Sequence, residues 1–203
     1  MKVHNKLLLL TVLLAALLCF MVISVKPTGV AHRGKVNKEE AISQIIHYIQ
    51  NENEKLEDKK LRSISKMVYD ESMRYNVDYR LILAIMKVES NFRYDVVSEQ
   101  GARGLLQVKP SLARYIAEDM GVKWRGAETL DEPETNIKIG IHFFSRLIED
   151  FQNINMALHA YHVGSTRLRE ILTEKKKPQR LYLNLVLDEY DRNITLLPPP
   201  EQE

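Results

Sequence analysis

Apolar residues recur at the three- and four-residue spacing of an amphipathic helix along most of the chain after residue 38. In the first such stretch Ile42, Ile45 and Ile49 share one stripe. The same spacing predicts helices over seven segments: 39–53, 55–75, 79–89, 111–120, 136–151, 155–162 and 181–190. Asn37 and Asp78 stand just before two of these segments and are residue types that cap helix N-termini. No run alternates as a strand would, so the pattern predicts a mainly α fold.

A different pattern occupies the N-terminus, where the nineteen residues 7–25 contain no charged side chain. At about 1.5 Å per residue, a helix of this length spans ~28 Å, close to the hydrocarbon thickness of a bilayer. Lys2 and Lys6 precede the run. Cleavage after Ala31 fits a signal peptide, whereas the length of the run favours an uncleaved membrane anchor. Both alternatives predict an N-terminal membrane or signal helix. A lipid attached at Cys19 is a weaker third alternative, because Leu18 stands where a small residue is expected. All three place the rest of the chain outside the cytoplasm.

The remaining sequence predicts one domain between less regular segments. Residues 26–38 are polar, contain one proline and two glycines, and are interpreted as a linker. Residues 39–60 are a helical lead-in, which either packs on the domain or docks a partner. Residues 61–192 form the main domain. Three consecutive prolines near the C-terminus lead us to expect a disordered tail over 193–203.

Charge and cysteine content exclude several classes of function. The chain has 29 basic and 27 acidic residues, and the surplus of two corresponds to Lys2 and Lys6, so the body is electrically balanced. Binding to a phosphate backbone needs a concentrated basic surface, and we therefore expect no nucleic-acid partner. Cys19, the single cysteine, lies in the apolar N-terminal run. The body therefore has no disulfide, cysteine zinc site or cysteine nucleophile.

His159 and His162 lie three residues apart, a spacing that can present two ligands to one metal ion. The sequence offers no nearby acidic residue or third histidine to complete such a site. We therefore expect neither a metal nor a cofactor.

Glu89 is the residue whose position suggests chemistry. It closes the apolar segment 79–89, with Val88 before it and Phe92 soon after. Burial disfavours the charged form of a carboxyl group and raises its pKa, which makes a general acid usable near neutral pH. The alternative is a glutamate that points to solvent at a helix end. Taken alone, the rarity of fully buried glutamates favours that alternative.

Four ordered blocks of sequence reverse this preference. Glu89-Ser90 is followed by Gly101-Ala-Arg-Gly-Leu-Leu-Gln-Val-Lys-Pro110, by Asn136-Ile-Lys-Ile-Gly140 and by Ala160-Tyr-His-Val-Gly164. Together they resemble the lysozyme-like catalytic domain of the lytic transglycosylases, of the soluble-lytic-transglycosylase type. The resemblance covers roughly residues 60–190, and the closing segment 180–190 is similar to the family's last helix.

The chain departs from the family pattern at several positions. Leu106 replaces the usual methionine, a change that conserves volume, and Leu112 stands where threonine is common. His162 and Val163 replace an asparagine and an alanine, and the family's asparagine lies near the catalytic cleft. His162 therefore indicates altered specificity, an altered pH response or reduced activity.

The resemblance implies a lysozyme-like helical domain that cleaves peptidoglycan. It implies that Glu89 protonates the β-1,4 glycosidic oxygen between N-acetylmuramic acid and N-acetylglucosamine, and then accepts the proton of the muramyl C6 hydroxyl. Attack of that hydroxyl on C1 leaves a 1,6-anhydromuramyl end. Tyr161 matches the family tyrosine whose hydroxyl holds the glutamate. The implied glycan-binding residues are Ser90, Gly104, Leu105, Leu106, Gln107, Val108 and His162.

The location implied by the resemblance and the N-terminal run is the periplasm, with residues 7–25 anchored in the inner membrane. The expected partners are the glycan strands of peptidoglycan, and service to cell-wall or secretion machinery is compatible with the sequence.

Two other functions stay open at the level of the sequence. A hydrolytic muramidase of the same fold needs a second carboxylate, and Asp95 is the nearest in sequence to Glu89. A murein-binding module without catalysis is the other alternative, for which the departure at His162 is the one hint.

Overall fold

The structure is a computed structural model that describes residues 37–200, and it is mainly helical. Within these residues the chain forms eight α-helices and one 3₁₀ helix. They are α1 (Lys38–Glu52), α2 (Asp58–Arg74), α3 (Tyr79–Ser90), α4 (Pro110–Asp119), the 3₁₀ helix (Ala127–Asp131), α5 (Pro133–Phe151), α6 (Ile154–Val163), α7 (Ser165–Thr173) and α8 (Leu181–Leu196). No strand forms between residues 37 and 200, where bridging is limited to two isolated pairs, Val97–Arg103 and Arg103–Val108.

The predicted membrane or signal helix over 7–25 and nearly all of the linker lie outside the described residues. Among the helices between residues 37 and 200, none combines the length and the apolar character needed to cross a bilayer.

The two predicted helix caps are confirmed. The Asn37 side chain accepts a hydrogen bond from the Glu40 backbone N–H at 2.9 Å, and Asp78 accepts one from the Arg80 backbone N–H at 2.8 Å. These bonds satisfy donors that the first turn of a helix leaves without an intrahelical partner. Helix α7 and the 3₁₀ helix were not predicted. Helix α7 buries Leu168 alone, so its sequence carries little apolar periodicity.

Helix α3 runs through the centre of the domain. Six consecutive residues, 81–86, are buried, which is typical of a helix covered on all sides. It packs against α8 and α2, while α2 and α6 both pack against α5. Because α3 is central, its last turn carries Glu89 from the core to the wall of a cleft.

The helical lead-in belongs to the domain. Helix α1 packs on α2 and buries Ile42, Ile45 and Ile49, and the ring of Tyr48 meets that of Phe92 edge-on at 5.8 Å. The boundary expected between residues 60 and 61 falls inside α2. Of the two alternatives for this segment, the structure therefore shows packing on the domain.

The prediction of a disordered tail from residue 193 is wrong for residues 193–200. Helix α8 continues to Leu196, and the next residue, Leu197, is buried. The Tyr79 hydroxyl donates a hydrogen bond to the Pro198 carbonyl at 2.5 Å. The prolines stop the helix, but the chain before them still covers the apolar surface of α3, so a compositional argument fails here.

Candidate active site

A cleft of about 830 Å³ opens beside the C-terminal end of α3. Its walls come from that helix end, from the loop between α3 and α4, and from the segment where α6 ends and α7 begins. The residues that line it include Glu89, Ser98, Gln107, Val108, Tyr161, His162, Arg167 and Glu170.

Glu89 is half-buried in the wall of this cleft. Burial raises the pKa of its carboxyl group, and a hydrogen bond from Tyr182 partly opposes that rise. The Tyr182 hydroxyl donates to Glu89 Oε1 at 2.7 Å, from a side chain on α8 that is itself buried. The arrangement provides a carboxyl group that holds its proton to higher pH than usual and whose position is fixed by a neutral donor.

The expectation that Tyr161 holds Glu89 is wrong in this structure. The Tyr161 hydroxyl donates to the Leu106 carbonyl at 2.6 Å, although the side chain does line the same cleft. Its ring packs against Phe143 and Phe144 of α5, at centroid distances of 5.5 and 5.8 Å. Tyr161 therefore anchors the loop that forms one wall, while Tyr182 positions Glu89.

Four of the predicted glycan-binding residues lie behind the cleft wall. Ser90, Gly104, Leu105 and Leu106 are buried and do not line the cleft. The Ser90 hydroxyl donates to the Leu105 carbonyl at 2.9 Å and lies 3.1 Å from the Met86 carbonyl. These residues therefore support the wall of the cleft and do not offer surface to a glycan.

Asn136, buried on α5, fixes the loop between α3 and α4 from the other side. Its Nδ2 donates to the carbonyls of Arg103 and Leu130 at 2.8 and 3.1 Å, and its Oδ1 accepts from the Leu106 backbone N–H at 2.9 Å. Gly104 has a φ of +74°, and a Cβ there would lie 2.2 Å from Asn136 Nδ2. The close approach of the loop to Asn136 therefore requires glycine at position 104.

Gln107, Val108 and His162 do line the cleft, as expected. Gln107 has a φ of +45°, and its Nε2 donates to the carbonyls of Val96 and Gly104 at 3.2 and 3.0 Å. Its amide group is thus oriented by the loop itself.

Several lining residues were not predicted as site residues. Ser98 lies in the cleft wall, and its Oγ accepts a hydrogen bond from the Ala102 backbone N–H at 3.0 Å. Arg167 and Glu170, on the unpredicted helix α7, are exposed and paired with each other at 2.9 Å. Asp95 is exposed and lies outside the lining of this cleft. The sequence signal for Ser98 is its place three residues before Gly101, the first residue of the glycine-containing block.

Replacing Tyr182 by phenylalanine is expected to raise the pKa of Glu89 further. The hydroxyl stabilises the carboxylate form by donating to it, whereas the phenylalanine ring still excludes water. Carbon-13 NMR titration of the glutamate carboxyl groups measures this change. The matched control is Tyr161→Phe, because the Tyr161 hydroxyl is bonded to a backbone carbonyl. If the pKa of Glu89 rises more in Tyr161→Phe than in Tyr182→Phe, Tyr161 is the residue that positions Glu89.

Several known proteins are similar to this chain in sequence. The family model of the transglycosylase SLT domain matches residues 66–184, more than half of the chain. The endo-type membrane-bound lytic murein transglycosylase A of Klebsiella pneumoniae (strain 342) is 43% identical over 77 residues, covering 36% of this chain and 37% of the relative. The protein of the same description in Citrobacter koseri is 33% identical over 142 residues, covering 63% of this chain and 68% of that relative.

Solved structures show a similar fold. An inactive mutant of lytic transglycosylase Slt from Pseudomonas aeruginosa gives a TM-score of 0.57 at 24% identity, covering 67% of this chain and 25% of that one. The soluble lytic transglycosylase of Escherichia coli gives a TM-score of 0.52 at 18% identity, covering 80% and 30%. At these identities the likeness is one of fold alone.

Proposed function

The chain belongs to the transglycosylase SLT domain family, and from this premise we propose that it is a lytic murein transglycosylase. Its proposed reaction breaks the β-1,4 bond between N-acetylmuramic acid and N-acetylglucosamine in peptidoglycan without consuming water. The product is a glycan strand that ends in 1,6-anhydromuramic acid. The observation that carries this proposal is the half-buried Glu89 carboxyl group, hydrogen-bonded by Tyr182, in the wall of an open cleft.

One carboxyl group is sufficient for the proposed chemistry. The protonated Glu89 donates its proton to the glycosidic oxygen, and the bond from that oxygen to C1 of the muramyl residue breaks. The resulting carboxylate accepts the proton of the C6 hydroxyl, whose oxygen forms the new bond to C1. Glu89 ends protonated, as it began, and its raised pKa keeps the acid form available for the first step.

Tyr182 has a defined part in both steps. Its hydroxyl bonds to Oε1 and thereby fixes the orientation of the carboxyl group in the wall of the cleft. A donor that remains neutral can stabilise the carboxylate after the first proton transfer without preventing its reprotonation. Burial and the neighbouring Glu89 hold the pKa of Tyr182 well above its usual range, which keeps that hydroxyl protonated.

The hydrolytic alternative needs a second carboxylate to activate water or to form a covalent adduct. Glu170 is the other carboxylate of the cleft lining, and it is exposed and paired with Arg167. A carboxylate that is exposed and already paired with an arginine is better placed for a role at the rim than for activation of a water molecule next to the sugar. Of the two carboxyl groups that line the cleft, Glu89 alone is half-buried, which supports the transglycosylase reaction.

Mass spectrometry of digested peptidoglycan tests the proposal. We expect the muropeptides released by the chain to be ~18 Da lighter than hydrolysis products, since one water is not added. Glu170→Gln should still yield anhydro ends. Reducing ends from the unsubstituted chain would identify a muramidase, and binding to peptidoglycan without any product would identify a binding module.

We further propose that the domain acts in the periplasm and that residues 7–25 anchor it in the inner membrane. The uncharged run of nineteen residues supports this location. The descriptions of the Klebsiella and Citrobacter relatives as membrane-bound also support it. Fractionation of cells checks it: the chain should remain with membranes after washing at high pH, and release by that wash would contradict an anchor.

A further inference from the structure

His162 makes a ring contact that the reaction described above does not use. It lies next to the last residue of α6, is exposed, and lines the cleft. Its imidazole ring lies parallel to the ring of Tyr182, with centroids 4.2 Å apart and planes 9° apart. One side of the tyrosine that holds Glu89 is therefore covered by a side chain that itself borders the cleft.

The stack constrains the hydrogen bond between Tyr182 and Glu89. The Tyr182 hydroxyl reaches Oε1 at 2.7 Å only while its ring keeps its present orientation. A ring covered by a parallel imidazole loses rotational freedom. Because Tyr182 and His162 come from different helices, the contact also ties the end of α6 to the start of α8.

We propose that His162 is a positioning residue that holds the Tyr182 hydroxyl on Glu89. The inference rests on the proposed function in so far as Glu89 is the catalytic acid. His162 acts through Tyr182, and the contact that carries the proposal is the parallel stack.

The charge state of the imidazole fits this role. Partial cover by the protein lowers the pKa of His162, so the ring is neutral at neutral pH. His159, one turn earlier on α6, also has a lowered pKa, through burial and the nearby Arg180 and His162. Because the His162 ring is uncharged, burial and the hydrogen bond from Tyr182 determine the pKa of the Glu89 carboxyl group. The ionisable groups around the stack and the cleft are Glu89, Lys109, His159, Tyr161, Arg167, Glu170 and Arg180.

Two substitutions separate stacking from the chemistry of the imidazole nitrogens. In His162→Ala the stack is lost and the Tyr182 hydroxyl is no longer held on Oε1, so the pKa of Glu89 should rise, as it does in Tyr182→Phe. We expect kcat to fall about tenfold with a smaller change in KM. His162→Phe restores a stacking ring, and should return the pKa of Glu89 downwards to its value in the unsubstituted chain and recover most of the lost kcat. His47→Ala, an exposed histidine on α1, is the matched control.

The measurements are carboxyl carbon NMR titration and steady-state cleavage of peptidoglycan, both on the full chain. In a Tyr182→Phe background, His162→Ala should change kcat less than it does alone, because the stack acts through the missing hydroxyl. A higher KM with unchanged kcat and unchanged pKa of Glu89 would overturn the proposal and make His162 a glycan contact. Equal losses in the alanine and phenylalanine variants would also overturn it. If the unsubstituted chain cleaves nothing, the proposed function fails, while the titration still decides whether His162 positions the pair.

Discussion

Glu89→Gln is expected to lower the rate of peptidoglycan cleavage by at least ~10³-fold, because the same carboxyl group supplies the proton for the first step and accepts one in the second. Glutamine has nearly the same shape, and its carbonyl can accept the hydrogen bond that Tyr182 now donates to Oε1. The cleft and its affinity for glycan should therefore persist. Release of soluble muropeptides measures the rate, and a pull-down with insoluble peptidoglycan measures binding.

The same variant should be more stable than the unsubstituted chain at neutral pH. Burial raises the pKa of Glu89, so the folded state binds this proton more tightly than the unfolded state. As the pH rises from the ordinary carboxyl range through the raised pKa, the unsubstituted chain loses stability, and glutamine has no proton to lose. Thermal melts should coincide at low pH and separate above the ordinary carboxyl range, with Glu89→Gln melting higher.

Glu170→Gln is the matched control for both measurements, since it makes the same chemical change in the same cleft at an exposed position. It should cleave within about tenfold of the unsubstituted rate and give no pH-dependent gain in melting temperature. A loss of cleavage in Glu170→Gln equal to that in Glu89→Gln would show that two carboxylates act together, as in hydrolysis.

Asn136→Ala is expected to lower the free energy of unfolding by about 3–5 kcal/mol, the largest stability effect that we predict. The substitution removes the partner of the Leu106 N–H and of the Arg103 and Leu130 carbonyls. Asn136 is fully buried, so water does not easily replace the lost bonds. Urea denaturation followed by circular dichroism measures the change.

Asn184→Ala provides the comparison for this prediction. Asn184 is exposed on α8, and its loss should change the free energy of unfolding by no more than about 0.5 kcal/mol. The loop that Asn136 fixes also carries Gln107 and Val108 into the cleft, so cleavage should fall with stability in Asn136→Ala. If the unfolding curves of Asn136→Ala and Asn184→Ala coincide, Asn136 does not hold the loop.

The helices were predictable because their signals are local. Each of the seven predicted segments corresponds to a helix, with ends displaced by a few residues, except that α8 runs to Leu196. A stripe of apolar residues and a capping side chain act within one or two turns, so sequence spacing alone carries the information. The position of Glu89 was predictable for the same reason, because a glutamate at the end of an apolar helical segment can be recognised in the sequence.

Local patterns failed where a short segment is ordered by distant parts of the chain. Leu197 follows α8 in a proline-rich context typical of disorder, yet it is buried, and the next residue accepts a bond from Tyr79. The lead-in helix α1 likewise lies against α2, and its Tyr48 reaches Phe92 beyond α3. Composition indicates how such segments behave on average. It does not indicate whether a distant part of the chain offers a surface on which a given segment packs.

The sequence by itself therefore determined the mainly helical body, the position of Glu89 at the end of the central helix, and the blocks that build the loop beside it. Only the tertiary structure decided which tyrosine holds Glu89, which predicted residues face the cleft, and that His162 stacks on Tyr182. Glu89 and Tyr182 are 93 residues apart in sequence. Their contact depends on how α8 packs on α3. The direction of a side chain across such an interface is set by the packing of the two helices, and sequence neighbours do not determine it.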